Sequence, residues 1–254
     1  MRNPSPRRDG RGNLSLDVSP HWLLVGNSRW HWGSQSPGGS LVCWSESAES
    51  GKVRHTALAG QGLVAWAAVG QAPASLPPPQ RITTQQVPLT GAPPWLGVDR
   101  ALAGWGAWQE QGCGEAVLVA DAGTALSLTR VDAGGSFAGG RLLAGAGLQL
   151  RALAQATAAL PALAPEALRA GTAGGWPQAT DQALAVGIVR GLAAALAAAA
   201  EEACDGAAGP CRLWLTGGDA ELLAPVLQAA GESWRLERDL VVAALARLRP
   251  ARGR

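Results

Sequence analysis

The hydrophobic positions of this chain fall into short apolar runs that end in small polar turns, and one order of elements occurs twice. The first run, residues 22–25, leads into Gly26-Asn27-Ser28-Arg29 and then Trp30, His31 and Trp32, which predicts strand, polar turn, strand. The second, residues 116–120, ends in Asp121-Ala122-Gly123-Thr124, and a patterned run over 126–131 follows. Between them come a polar turn region over 45–51 and a mixed stretch over 57–68 that fits a helix or a strand edge. Pro77-Pro78-Pro79 breaks the chain, 81–87 is strand-like, 90–94 is a loop, and 100–108 is helical. Later, Gly134-Gly135 and Gly139-Gly140 mark tight turns. Leucines at 148, 150, 153 and 160 among alanines predict a helix stopped by Pro161. A Gly-rich loop reaches Thr180, and a long Ala-rich helix spans 181–202. A strand over 211–215 runs into Thr216-Gly217-Gly218-Asp219, and helices over 221–230 and 236–248 end the pattern.

The repeated strand–turn–strand opening divides the chain into a first half at 19–110 and a second at 111–254. Residues 1–18, rich in Pro, Gly, Asn and Arg, read as a disordered tail or an over-long start; they lack the apolar stretch of a secretory signal. With 254 residues and 47% hydrophobic content, the chain can bury a sizeable core. A formal net charge of +2 calls for neither nucleic acid nor a membrane surface. Cys43, Cys113, Cys204 and Cys211 show no CxxC spacing and form no ligand pattern with the histidines, so they read as reduced thiols of a cytosolic protein. The Ala-rich run carries Arg190 at its middle and Glu201-Glu202 at its end, which favours a buried helix over a membrane span.

The chemistry concentrates where the second run ends. Strand, acid, glycine and hydroxyl in that order place a carboxylate and bare backbone amides at a strand end. Nucleotide phosphates and their cations favour such a turn, because carboxylates hold metal and glycine lets amides approach oxygen. From Asp121 to Pro161 the window resembles the type III pantothenate kinases, whose pattern runs D-x-G-T-A-x-T, then G-x-F-x-G-G-x-I-x-P-G, then a-L-x-x-x-T-A-x-L-P. Asp121, Gly123, Thr124, Ala125, Gly135, Phe137, Gly139, Gly140, Gly145, Leu153, Thr157, Ala158, Leu160 and Pro161 match in register. The resemblance implies an α/β fold of two RNase H-like halves, of the acetate and sugar kinase/Hsp70/actin type, with ATP in a cleft between them.

It also implies an activity: ATP-dependent phosphorylation of pantothenate, the first step towards coenzyme A, by a cytoplasmic homodimer using Mg²⁺ and either K⁺ or NH₄⁺. Gly97-Val98-Asp99-Arg100 resembles the family's G-x-D-R, which makes Asp99 the general base and Gly97, Val98 and Arg100 substrate contacts. Thr180 corresponds to a pantothenate contact reached across the dimer interface, and Gly187 and Gly191 are spaced for close helix packing. Asp121 is the candidate ligand for the monovalent cation. Gly26, Asn27, Ser28, Gly123 and Thr124 are the candidate phosphate contacts, and Gly217 and Gly218 lie on the adenosine side. Ser28 conservatively replaces the family's Thr and Ala179 its Asn, and three further positions depart: Leu24 stands where it has Asp, His31 where it has Lys, and Thr129 where it often has Asp. These departures motivate a non-catalytic, pantothenate-kinase-like binding or regulatory protein as the alternative. A kinase for another small hydroxy compound is a further reading, opposed by the G-x-D-R match.

Overall fold

A computed structural model describes residues 7–8, 14–15, 19–58, 62–112, 114–205 and 209–251. By its contacts the chain divides into two compact units, one holding the described residues up to Arg81 with those from Leu245 onward, the other Ile82–Ala244. At the N-terminus, β1 (Arg7–Arg8) and β2 (Leu14–Ser15) pair antiparallel. The remainder of the predicted tail lies outside the described residues.

In the first unit the apolar run becomes β3 (His21–Val25), buried along its whole length. It pairs antiparallel with β4 (Arg29–Gln35), which pairs antiparallel with β5 (Leu41–Ser47). The helix α1 (Ala48–Leu58) then leads to β6 (Leu63–Ala68), parallel to β3, giving the order β5-β4-β3-β6. Leu23, Val25, Trp30, Trp32, Trp66 and Leu76 form the core of this unit. The predicted polar turn at 45–51 is instead the end of a strand and the start of a helix. β5 is an edge strand with little burial, so its hydrophobic alternation is faint, and the Ser47 hydroxyl accepts the Ser50 amide (3.1 Å), capping α1. The predicted strand at 81–87 is also absent. Only Arg81 bridges to Trp66, and Thr83 and Gln86 close a capping box around the single 3₁₀ turn Thr84–Gln86.

The second unit begins, after its first loops, with α2 (Val98–Glu110), which the sequence assigns to the first half. Three antiparallel strands follow: β7 (Ala116–Ala122), β8 (Ala125–Val131) and β9 (Phe137–Ala144). Then come α3 (Ala146–Ala156) and α4 (Thr180–Asp205). The strand β10 (Cys211–Thr216) pairs parallel with β7, and after α5 (Ala220–Ala229) comes β11 (Trp234–Leu236), parallel to β10. The last helix is α6 (Leu240–Leu248), within which the division between the units falls. The order β9-β8-β7-β10-β11 repeats that of the first unit with one strand added, so both units are RNase H-like and the duplication read from the strand–turn–strand pattern is present in the topology.

Alternation along β7 and β8 gives this sheet two different faces. Leu118, Leu128 and their neighbours pack with α3, α4 and α5. Thr129 and Val131 face α2, where a Cβ on Gly104 would lie 3.2 and 2.9 Å from their methyl groups, so glycine there lets helix and sheet meet closely. By length and composition α4 could cross a membrane, with a mean hydropathy of 2.0 in its most apolar stretch. Its inward residues Ile188, Val189, Leu192 and Leu196 are built into the core of this unit. Gly139 and Gly140, predicted to mark a turn, lie inside β9.

Candidate active site

The first turn of α2 brings the G-x-D-R residues together. Gly97 is the N-cap, Val98 is buried, and Asp99 and Arg100 are partly buried. Asp99 therefore sits inside the helix rather than capping it. Its Oδ1 accepts the Arg100 amide (2.8 Å), one of the helix's unpaired first-turn donors. Burial pushes the Asp99 carboxyl above the usual carboxylate range, offset in part by that amide and by the Arg100 charge.

Arg100 reaches over the sheet. Its Nε donates to Thr129 Oγ1 (3.2 Å) and its Nη2 to the Leu128 carbonyl (3.2 Å). A Cβ on Gly140 would run into Arg100 Nη2 and the same carbonyl, so the glycine inside β9 is the clearance that lets the guanidinium lie flat. Of the guanidinium's five N–H groups, these contacts engage two, which among the described residues leaves three for a ligand. Neither role was visible in the sequence, where Thr129 reads only as a departure and Gly140 as a turn glycine and a family-pattern match. The available signal was their cross-strand pairing, which needs the register of β8 and β9.

Asp121 lies at the end of β7. Burial first, and the charge of Asp99 second, push its carboxyl up to about 7. The two acids are thus close enough to feel each other, and ionising both leaves excess negative charge at one place. A Cβ on Gly217 would lie 2.5 Å from Asp121 Oδ1, and Gly217 has φ +95°. The Gly217-Gly218 turn therefore packs directly on the acid, and the Asp219 amide donates to the Ala122 carbonyl (2.8 Å). A Cβ on Gly218 would meet nothing within 4 Å.

The other predicted residues are placed as follows. Thr124 is exposed at the hairpin between β7 and β8, but the Gly123 amide donates to the Ala125 carbonyl (3.1 Å) and so closes the turn itself. Thr180 is exposed as the first residue of α4, and no hydrogen bond among the described residues ties it to Asp99, Arg100 or Asp121. In the first unit, the Gly26 amide donates to the Arg29 carbonyl (3.0 Å), while Asn27 and Ser28 are exposed. Leu24 is 6% exposed, so the family's acid position is here a core residue, and His31 Nδ1 lies 2.7 Å from the Ser45 hydroxyl.

Two RNase H-like units, one with a carboxylate turn at the end of its first strand, give the chain the fold of the acetate and sugar kinase/Hsp70/actin type. Solved structures share this fold. The activator of the 2-hydroxyisocaproyl-CoA dehydratase from Clostridium difficile, with bound ADPNP, superposes with a TM-score of 0.55 at 11% identity over 91% of this chain and 93% of that one. A putative 2-dehydro-3-deoxygalactonokinase from Sinorhizobium meliloti does so with a TM-score of 0.52 at 17% identity, over 92% and 98%. Sequence is more particular. The profile of the type III pantothenate kinases matches residues 78–202. The type III pantothenate kinase of Synechococcus elongatus is 39% identical over 223 residues, 81% of this chain and 86% of that one. That of Synechococcus sp. (strain JA-3-3Ab) is 38% identical over 248 residues, 89% and 91%. The chain belongs to the type III pantothenate kinase family.

Proposed function

We propose that this protein transfers the γ-phosphoryl group of ATP to the 4′-hydroxyl of pantothenate, in the cytoplasm, as the first step towards coenzyme A. The observation that carries the reading is the Asp99–Arg100 pair: a base of raised proton affinity beside a cation held in place by Thr129 and Leu128. The name shared by the relatives favours the kinase over a non-catalytic binding protein.

In this mechanism the three uncommitted N–H groups of Arg100 fork to an oxygen-bearing group of pantothenate and set its register. Asp99 accepts the proton of the substrate hydroxyl. The hydroxyl oxygen bonds to the γ-phosphorus as the bond to the β–γ bridging oxygen breaks, and ADP leaves with that electron pair. Burial raises Asp99 towards the proton affinity a base needs near neutrality. The transferred group demands little covalent help, so positioning and charge neutralisation do most of the catalysis. Thr124, Asn27 and Ser28 supply exposed donors for phosphate oxygens.

Asp121 suits a hard cation bound through oxygen. It is a carboxylate beside a second one, Asp99, and carboxylate oxygens are hard ligands. Asp121 would hold K⁺ or NH₄⁺, and Mg²⁺ would come with the ATP phosphates; both offset phosphate charge when bound. Gly218, where a Cβ would meet nothing, leaves room for the adenosine side, and Gly217 lets the turn lie against Asp121.

Two copies pair through α4, whose outward Gly187 and Gly191 are exposed and would admit a Cβ without contact. That arrangement would bring Thr180 to the partner's substrate. The test is ADP release with pantothenate, ATP and Mg²⁺, comparing K⁺ or NH₄⁺ with Na⁺. Release that needs pantothenate and rises with K⁺ or NH₄⁺ is expected. A folded protein that binds pantothenate yet releases no ADP under any cation would overturn the reading.

A further inference from the structure

The second unit holds a pair of thiols that the proposed reaction does not use. Cys204 is the penultimate residue of α4 and Cys211 the first of β10, and each is half-buried. The Cys204 thiol donates to the Cys211 carbonyl (3.8 Å) and also shares a hydrogen bond with the Cys211 thiol. A sulfur that meets both the thiol and the carbonyl of another cysteine lies over that residue's backbone, the approach a disulfide needs. Both ends are fixed by structure. Ala203, next to Cys204, is buried in the core of the unit, and Cys211 packs against the same core. Cys211 is also paired in register with Ala116 of β7. Packing and sheet register therefore set the distance between the two sulfurs.

The surroundings give the pair an order of reaction. Burial first, then the charge and hydrogen bond of Cys204, push the Cys211 thiol up to about 11, so in the reduced protein Cys211 is a neutral, weak nucleophile. Two of these three influences belong to Cys204 and vanish once that residue carries another sulfur. The Arg130 charge and a backbone hydrogen bond from Leu118 remain, and both favour the Cys211 thiolate. Capping Cys204 thus prepares Cys211 to attack it.

We propose that Cys204 and Cys211 are a site of reversible disulfide formation that fastens the end of α4 to the start of β10. The Cys204 thiolate attacks a small disulfide such as oxidised glutathione. A mixed S–S bond forms, the bond within the small disulfide breaks, and one glutathione thiolate leaves with the electron pair. The Cys211 thiolate then attacks the Cys204 sulfur, the internal S–S bond forms, and the second glutathione thiolate leaves. Each departing thiolate takes up, through water, a proton that a cysteine released. The two cysteines lose two electrons and one small disulfide is reduced. In a reducing compartment such a bond is transient. The inference uses nothing of the Asp99–Arg100 site and stands whether or not the chain is a kinase.

The test equilibrates the full-length protein with oxidised and reduced glutathione in varied ratio, alkylates the remaining thiols and digests with trypsin. No Lys or Arg lies between Arg190 and Arg212, so both cysteines fall in one tryptic peptide, residues 191–212. As oxidised glutathione comes to dominate, this peptide is expected unalkylated and two hydrogens lighter, reverting on reduction. Cys211→Ser should instead retain one glutathione on Cys204. The oxidised wild type should melt roughly 3–8 °C above the reduced form, the scale for closing a short loop in a chain of this size. A peptide that stays doubly alkylated at every ratio, or that carries glutathione on both cysteines, would overturn the proposal. Links from Cys204 or Cys211 to Cys43 or Cys113 in place of the internal bond, or an oxidised form that melts no higher, would overturn it equally. The peptide mass is read on the wild-type protein, so it decides the matter even if Cys211→Ser fails to fold.

Discussion

Replacing Thr129 by Val removes one acceptor and keeps the branched shape of the side chain. Thr129 is 1% exposed, and its hydroxyl accepts Arg100 Nε at 3.2 Å. Water is not available to replace it in so enclosed a place, and the Leu128 carbonyl already takes Nη2. A hydrogen bond to a charged group is worth about 1.5–3 kcal/mol. At 3.2 Å this one belongs at the weaker end. The loss of about 1.5–2 kcal/mol corresponds to roughly 10–30-fold in the affinity for pantothenate. Asp99 is untouched, so kcat should change much less than KM. Steady-state ADP release over a range of pantothenate, with calorimetric titration of pantothenate alone, separates the two effects. Thr129→Ser keeps the acceptor and should return affinity towards wild type, which a loss of packing alone would not explain. If Thr129→Val binds pantothenate within a factor of two of wild type, or loses kcat at constant KM, Arg100 is not positioned by this bond.

Gly140→Ala should act on the same clamp from the other strand: its Cβ would displace Arg100 Nη2, and KM for pantothenate should rise at least as far as in Thr129→Val. An unchanged KM would show that the guanidinium has other room. Asp121 has a pH signature of definite sign. Its folded pKa of about 7 lies above the ordinary aspartate range, so between the two the folded protein holds a proton that the unfolded chain has released. Its contribution to stability is therefore present at low pH and is lost as pH rises through about 7. Allowing for its partial exposure, the advantage of Asp121→Asn over wild type in metal-free denaturant unfolding should grow by about 1–2 kcal/mol from about pH 5 to about pH 8. An advantage that does not change with pH would mean that Asp121 ionises in the ordinary range. Activity should move the opposite way, rising through the same interval, since a cation requires the ionised acid.

The sequence carried the ends of β7 and β10 well, because buried parallel strands read as continuous apolar runs and their turns carry the glycines. β5 and α1 escaped notice: an edge strand whose residues are only partly covered shows no clean alternation, and α1 has no apolar stripe to betray a helix. The Asp99–Arg100 pair was legible as a motif, whereas what holds it was not. Thr129, Leu128 and Gly140 come from two strands, and only their register sets them beside a helix N-terminus. The same limit applies to Asp121 and Gly217, nearly a hundred residues apart yet packed one on the other through the parallel pairing of β7 with β10.

The most direct test is turnover by Asp99→Asn beside wild type, with ATP, Mg²⁺ and K⁺, with and without pantothenate. The account predicts pantothenate-dependent ADP release by the wild type, and a variant that still binds ATP and pantothenate but has lost about a hundredfold or more of kcat, the scale of general-base catalysis. A variant turning over near the wild-type rate would contradict the role given to Asp99.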